Sequence, residues 1–198
     1  MSRRNKGLSF SRKPRRQLGP EFFKELFSWV FIVFISAFLA VVLMYVFGAR
    51  TNVIGNSMET ELYSGQEILI NRMVYTISSP KKGDVVAFQP NGNENSHYYI
   101  KRVVGIPGET LQIIDGYLYI DGKRCIEDPS FDKMADAGIL ENELKLGKEE
   151  YFVLGDNRNF SEDSRSGNVG VVKQSYMIGK VWFKLSTNLE DLGFVKRK

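Results

Sequence analysis

From Leu26 to Phe47 the chain carries no charged residue, and this stretch constrains the fold more than any other feature of the sequence. Its twenty-two residues, at about 1.5 Å of rise each, make a helix roughly 33 Å long, which matches a hydrocarbon core of about 30 Å. Trp29 and Tyr45 stand near its two ends, where amphipathic rings settle at a membrane interface. A cleavable leader has an apolar core of about 7 to 15 residues and ends in a small-residue cleavage site. This run is longer and closes on Tyr45-Val46-Phe47, so the expectation is a permanent transmembrane anchor over residues 26–47.

Charge then orients the anchor. Eight basic residues (Arg3, Arg4, Lys6, Arg12, Lys13, Arg15, Arg16 and Lys24) precede it, opposed only by Glu21 and Glu25. That bias predicts a cytoplasmic tail over 1–25, disordered from Ser2 to Gly19, and places the chain beyond Arg50 outside the cell membrane. The net charge of +4 is local to this tail, because residues 50–198 hold nineteen basic residues against twenty-one acidic ones. No basic face for a phosphate backbone follows, so the lipid bilayer is an expected partner and nucleic acid is not. Cys125 is the only cysteine and His97 the only histidine, and there is no His-Glu-x-x-His spacing. An intramolecular disulfide and a cysteine-built zinc site are excluded, and neither metal nor other cofactor is expected.

With 198 residues the chain has room for the anchor and one sizeable domain, residues 50–198. That domain reads as mainly β. Short β-branched or aromatic runs recur at Glu67–Arg72, Asp84–Phe88, His97–Val104, Thr110–Ile114, Tyr117–Ile120, Tyr151–Leu154 and Met177–Phe183. Asp115-Gly116, Asp121-Gly122, Pro107-Gly108 and Gly155-Asp156-Asn157 supply the turns between them. Residues 128–149 are polar without a clean period and are expected to form an irregular or partly helical insertion.

Two residues carry the chemistry. Ser57 follows the anchor by about ten residues in Gly55-Asn56-Ser57-Met58, and Lys101 lies in the strand Tyr99-Ile100-Lys101-Arg102-Val103-Val104. Alternation along a strand puts Lys101 with Tyr99 and Val103 on one face and Arg102 on the other. A serine hydroxyl is a weak nucleophile until a base takes its proton, and a lysine whose charge is disfavoured by burial can be that base. Free lysine is neutral in only about one molecule in 2,500 at pH 7, and lowering its pKa to about 7 requires roughly 4.6 kcal/mol of bias against the ammonium. Burial can supply that bias. Taken singly, Ser57 also reads as a turn residue and Lys101 as a strand lysine reaching solvent.

Their company changes the reading. Gly83-Asp84-Val85-Val86-Ala87-Phe88 follows Ser57, Lys101 heads Lys-Arg-Val-Val-Gly-Ile-Pro-Gly-Glu, and Gly155-Asp156-Asn157-Arg158-Asn159-Phe160-Ser161-Glu162-Asp163-Ser164-Arg165 closes the set. In this order, behind an anchor, the segments resemble the type I signal peptidases of bacteria, in the form with a single anchor. The resemblance implies coiled antiparallel sheets, a fold shared with soluble self-cleaving repressors, and a serine endopeptidase that removes signal peptides from exported preproteins. It implies Ser57 as nucleophile, Lys101 as general base, and Ser161 as the hydroxyl that holds the lysine amine. Asp163 and Arg165 would form a supporting ion pair, and Gly155, Asp156, Asn157 and Arg158 a supporting loop; Met58 reads equally as part of the wall that contacts substrate and as simple packing.

The sequence departs from that pattern at Thr60 and Glu61, where Ser-Met-x-Pro-Thr-Leu is typical, at Gly55, where some relatives carry a serine that assists the oxyanion hole, and at Phe160, often asparagine. His97, the residue type that some distant relatives use as base, sits about 13 Å along the strand from Lys101, too far to share one hydroxyl with it. Two alternatives stay open: a dedicated or catalytically weak relative, serving for example pilin assembly, and a membrane-tethered β domain that binds without chemistry.

Overall fold

A computed structural model of the chain describes residues 19–47, 49–185 and 192–198; the predicted tail, apart from residues 19–25, lies outside them. Helix α1 runs Pro20–Phe47. Proline at its first position suits a site whose N–H would have no helical partner. Within Pro20–Val46 the most apolar eighteen-residue window has a mean hydropathy of 2.8 and none of that window is buried by protein, so by length and composition the helix is able to cross a membrane.

The rest is mainly β. Strands β1 (Ala49–Asn52), β2 (Glu67–Asn71), β3 (Val85–Phe88) and β4 (Tyr99–Gly105) are followed by β5 (Thr110–Ile114), β6 (Tyr117–Ile120) and β7 (Lys123–Arg124). Then come β8 (Leu144–Lys145), β9 (Glu150–Leu154), β10 (Val172–Lys173), β11 (Met177–Leu185) and β12 (Gly193–Phe194). Among the described residues they form a sheet in the order β1-β2-β11-β3-β4-β9-β10, with β12 on β11, and a second sheet in the order β7-β6-β5-β8. Every pairing recorded is antiparallel. All seven predicted strands are present. Asp115-Gly116 and Asp121-Gly122 are tight hairpin corners, with both residues of each pair at positive φ, the geometry that matches strand twist.

The central strand β3 is buried along its whole length, as its unbroken Val-Val-Ala-Phe run requires. Strand β4 divides its side chains between cores: Ile100 packs with Met58 and Leu62, while Tyr99 and Val103 pack with Val86 and Phe88. Lys101 lies between Tyr99 and Val103 on that second face, opposite Val86 of β3. On the other side of β4, Arg102 pairs with Leu154 at the end of β9. The loop Gly155–Arg158 therefore leaves the sheet beside the lysine.

Residues 128–149 contain a single 3-10 turn at Gly138–Glu141 and the two-residue strand β8. They also send Met134, Leu140 and Leu146 into the core of the smaller sheet. His97 falls outside β4, in an exposed approach to it, because the strand begins at Tyr99.

Candidate active site

Ser57 and Lys101, forty-four residues apart in sequence, meet. Lys101 Nζ stands 2.6 Å from Ser57 Oγ. The lysine is only 5% exposed, and burial lowers its pKa from the ordinary 10.5 to about 8, against the opposing pull of the Asp163 and Glu162 carboxylates. At pH 7 roughly one lysine in ten is then neutral instead of about one in several thousand. Tyr99, on the strand face shared with Lys101 that alternation anticipated, sets its ring centroid 5.7 Å from Nζ.

The nucleophile segment is held by the Gly155 loop. Asn157 donates its backbone N–H to the Ser57 carbonyl at 3.1 Å and its side-chain amide to the Asn56 carbonyl at 3.2 Å. Gly155 permits this approach: a Cβ there would lie 2.2 Å from Ser161 Oγ and 2.5 Å from the Ser57 carbonyl oxygen. Past Ser57 the chain turns through bonds from Glu59 N–H to Asn56 and from Glu61 and Leu62 N–H to Met58, which leave the Ser57 N–H out. Thr60 takes φ +51 within this turn. Proline cannot adopt that backbone, so the departure at Thr60 is a different turn and not a like-for-like replacement.

Behind the pair lie buried ions. Asp163 and Arg165 pair at 2.9 Å, and Asp163 also accepts the Gly155 N–H at 3.1 Å. Arg165 donates to the Arg158 carbonyl, and Arg158 Nε to the Gly155 carbonyl at 3.1 Å. Asp156 receives Arg102 through two parallel bonds of 2.7 and 2.6 Å. These contacts over-determine the loop conformation, which is how a site keeps reacting atoms within a few tenths of an ångström.

Ser161 stands apart. Its Oγ is buried against Gly155 and has no hydrogen-bond partner among the described residues, so the bond to the lysine amine implied by the family resemblance is not part of this arrangement. Met58 is 1% exposed and belongs to the core with Leu62 and Ile100, while also backing the cavity at Ser57. That cavity, of about 340 Å³, is also lined by Tyr99, Phe160 and Glu162. Phe160 is 78% exposed and gives it an apolar rim. Glu162, missed by the sequence reading, faces Tyr99 Oη at 3.4 Å and Asn168 Nδ2 at 3.3 Å. It sits between Ser161 and Asp163, and that adjacency was the only sequence signal for it.

A serine hydroxyl hydrogen-bonded to a dry lysine amine, with a cleft in front, can perform acyl transfer. The family described as signal peptidase, peptidase S26, matches residues 26–186. The chain belongs to that family. Signal peptidase I of Bacillus licheniformis is 32% identical to it over 166 residues, 80% of this chain and 88% of the relative. Signal peptidase I T of Bacillus subtilis strain 168 is 34% identical over 158 residues, 76% and 80% of the two chains. Signal peptidase IB of Staphylococcus aureus is 30% identical over 183 residues, 81% and 90%. As a signal peptidase, the protein is an endopeptidase of the serine class, and its mainly β fold with one N-terminal apolar helix agrees with the sequence expectation.

Proposed function

We propose that this chain is a membrane-anchored serine endopeptidase that removes N-terminal signal peptides from exported preproteins, with Ser57 as nucleophile and Lys101 as general base. The observation that carries the assignment is the 2.6 Å contact between the hydroxyl and a buried amine of lowered pKa. Neutral Lys101 accepts the Ser57 proton while Oγ attacks the scissile carbonyl carbon; the resulting ammonium returns that proton to the departing amine, leaving an acyl-serine. Lys101, neutral again, takes a proton from a water as its oxygen attacks the ester carbonyl carbon, and the ammonium gives that proton to Ser57 Oγ as the C–O bond breaks, restoring hydroxyl and neutral amine. The Ser57 N–H is the donor available for the oxyanion. Gly55 brings no side-chain donor, and loss of one such donor costs on the order of 10²- to 10³-fold in rate.

An extended substrate fits an open cleft by main-chain pairing, with alternate side chains entering pockets; small residues of the Ala-x-Ala type at the cleavage boundary are what the family resemblance implies. Helix α1 tethers the catalytic domain to the bilayer, which raises the local concentration of chains held there by their own apolar segments. The basic tail sets the orientation, with the N-terminus in the cytoplasm and the catalytic domain outside. Cleavage of a model preprotein by wild type, Ser57→Ala and Lys101→Ala in detergent micelles tests the chemistry. Both variants are expected to be folded and inactive, and cleavage by Lys101→Ala would remove lysine from its role.

A further inference from the structure

The turn that carries Ser57 and the strand that carries Lys101 share a third anchor. Four residues beyond the serine, Glu61 is a carboxylate only 3% exposed. It accepts the backbone N–H of Lys196 at 3.1 Å, and Lys184 Nζ lies 3.4 Å and Lys198 Nζ 3.9 Å from its oxygens. Lys184 also donates to the Glu61 carbonyl at 3.1 Å. One residue after the lysine, Arg102 donates Nη1 to the carbonyl of the same Lys196 at 2.8 Å. A single residue of the 192–198 segment thus bonds both catalytic segments, through its N–H on one side and its carbonyl on the other.

The segment is itself fastened. Gly193 and Phe194 pair with β11, the Val195 N–H donates to Trp182, Arg197 Nε donates to the Lys82 carbonyl at 2.8 Å, and Val195 packs on the core that holds Met58 and Leu62. The turn it grips is strained, because Thr60 is β-branched and sits at φ +51, a conformation that persists only where its surroundings impose it. A buried carboxylate needs donors, and each one recorded for Glu61 comes from β11 or from 192–198.

We infer that residues 192–198 act as a strap that holds the nucleophile turn and the base strand in register, with Glu61 as its positioning residue. The inference rests on Ser57 and Lys101 being the reacting pair. Its test uses Glu61→Ala and Glu61→Gln in the full chain, the glutamine keeping an oxygen for the Lys196 N–H. Glu61→Ala is expected to lower kcat by about tenfold or more with KM nearly unchanged, since misplacement of reacting groups costs rate and not binding. Glu61→Gln should recover most of the loss.

A second readout needs no turnover: the pH dependence of Lys101 acetylation by acetic anhydride, followed by mass spectrometry on folded protein. Loosening the strap admits water to the amine, so its midpoint should rise in Glu61→Ala toward that of ordinary lysines and return in Glu61→Gln. An unchanged midpoint, with activity lost only in proportion to the folded fraction, would overturn the strap. Equal cleavage by wild type and Ser57→Ala would instead defeat the dyad itself, and the acetylation midpoint would still decide whether Glu61 shields Lys101.

Discussion

Lys101 and Arg102 are consecutive residues of one strand, both buried, and the fold treats them in opposite ways. Arg102 receives a bidentate carboxylate from Asp156 and the carbonyls of Gly83 and Lys196. Lys101 receives one neutral hydroxyl. A buried cation supplied with acceptors becomes a structural joint, because removing either partner strands an unpaired charge. A buried cation denied them surrenders its proton instead and becomes a base. The depression of the Lys101 pKa from 10.5 to about 8 corresponds to about 3 kcal/mol held against the folded state at neutral pH. Between about pH 8 and 10.5 the unfolded chain holds a proton that the folded chain has released. Stability from this group therefore rises with pH across that window, and the full penalty is present below it.

The contrast is broken most severely at the lysine. Lys101→Met should abolish cleavage, by at least about 10³-fold, while raising stability at pH 6 to 7 by about 1–3 kcal/mol in thermal denaturation. A less stable Lys101→Met protein would mean that the amine is not held at a cost. Arg102→Met should do the reverse to the fold, destabilising it by about 3–5 kcal/mol in urea because Asp156 loses its counter-ion; adding Asp156→Leu should restore much of that stability. If the double variant were no better than the single one, the pair would be more than a satisfied joint. Gly155→Ala, which pushes on the Ser57 carbonyl and on Ser161, is expected to lower kcat by about 10²-fold in steady-state kinetics without unfolding the domain.

The smallest effect concerns the carboxylates that partly sustain the ammonium. Wild-type kcat/KM should rise with pH through a midpoint near 8, and Glu162→Gln, by removing one charge that raises the lysine pKa, should move that midpoint down by a fraction of a unit. A shift upward, or a flat profile from pH 6 to 9, would contradict a neutral-lysine base.

Much of this is legible in the amino-acid sequence. The apolar run, the seven main strands and the two Asp-Gly corners follow from local periodicity and turn chemistry, and alternation alone placed Lys101 and Arg102 on opposite faces. Strand β1, Ala-Arg-Thr-Asn, has no apolar alternation to announce it and exists through pairing with β2. The site residues Ser57 and Lys101 were readable through family motifs and not through their own surroundings, since the contact spans forty-four positions. Asp156 was placed in a supporting loop, but its partner was not foreseen, because no local pattern links it to Arg102. Glu61 looked like a departure from the motif; only the fold brings it Lys196, whose neighbours in sequence carry no strand signature. The Ser161 hydroxyl is where a residue-by-residue transfer and the observed geometry part, and its packing on Gly155 is the reason.

An amine that is half uncharged near pH 8 and opens on a cleft is also an unusually good target for electrophiles. A free lysine, titrating near 10.4, is almost wholly protonated under those conditions and reacts slowly, whereas burial gives Lys101 a much larger neutral fraction beside an apolar rim. Cyanate, aldehydes and dissolved carbon dioxide, all of which react with an amine only through its neutral form, should silence the protein by modifying Lys101 at low doses, and reagents shaped to the cleft could exploit the same chemical weakness.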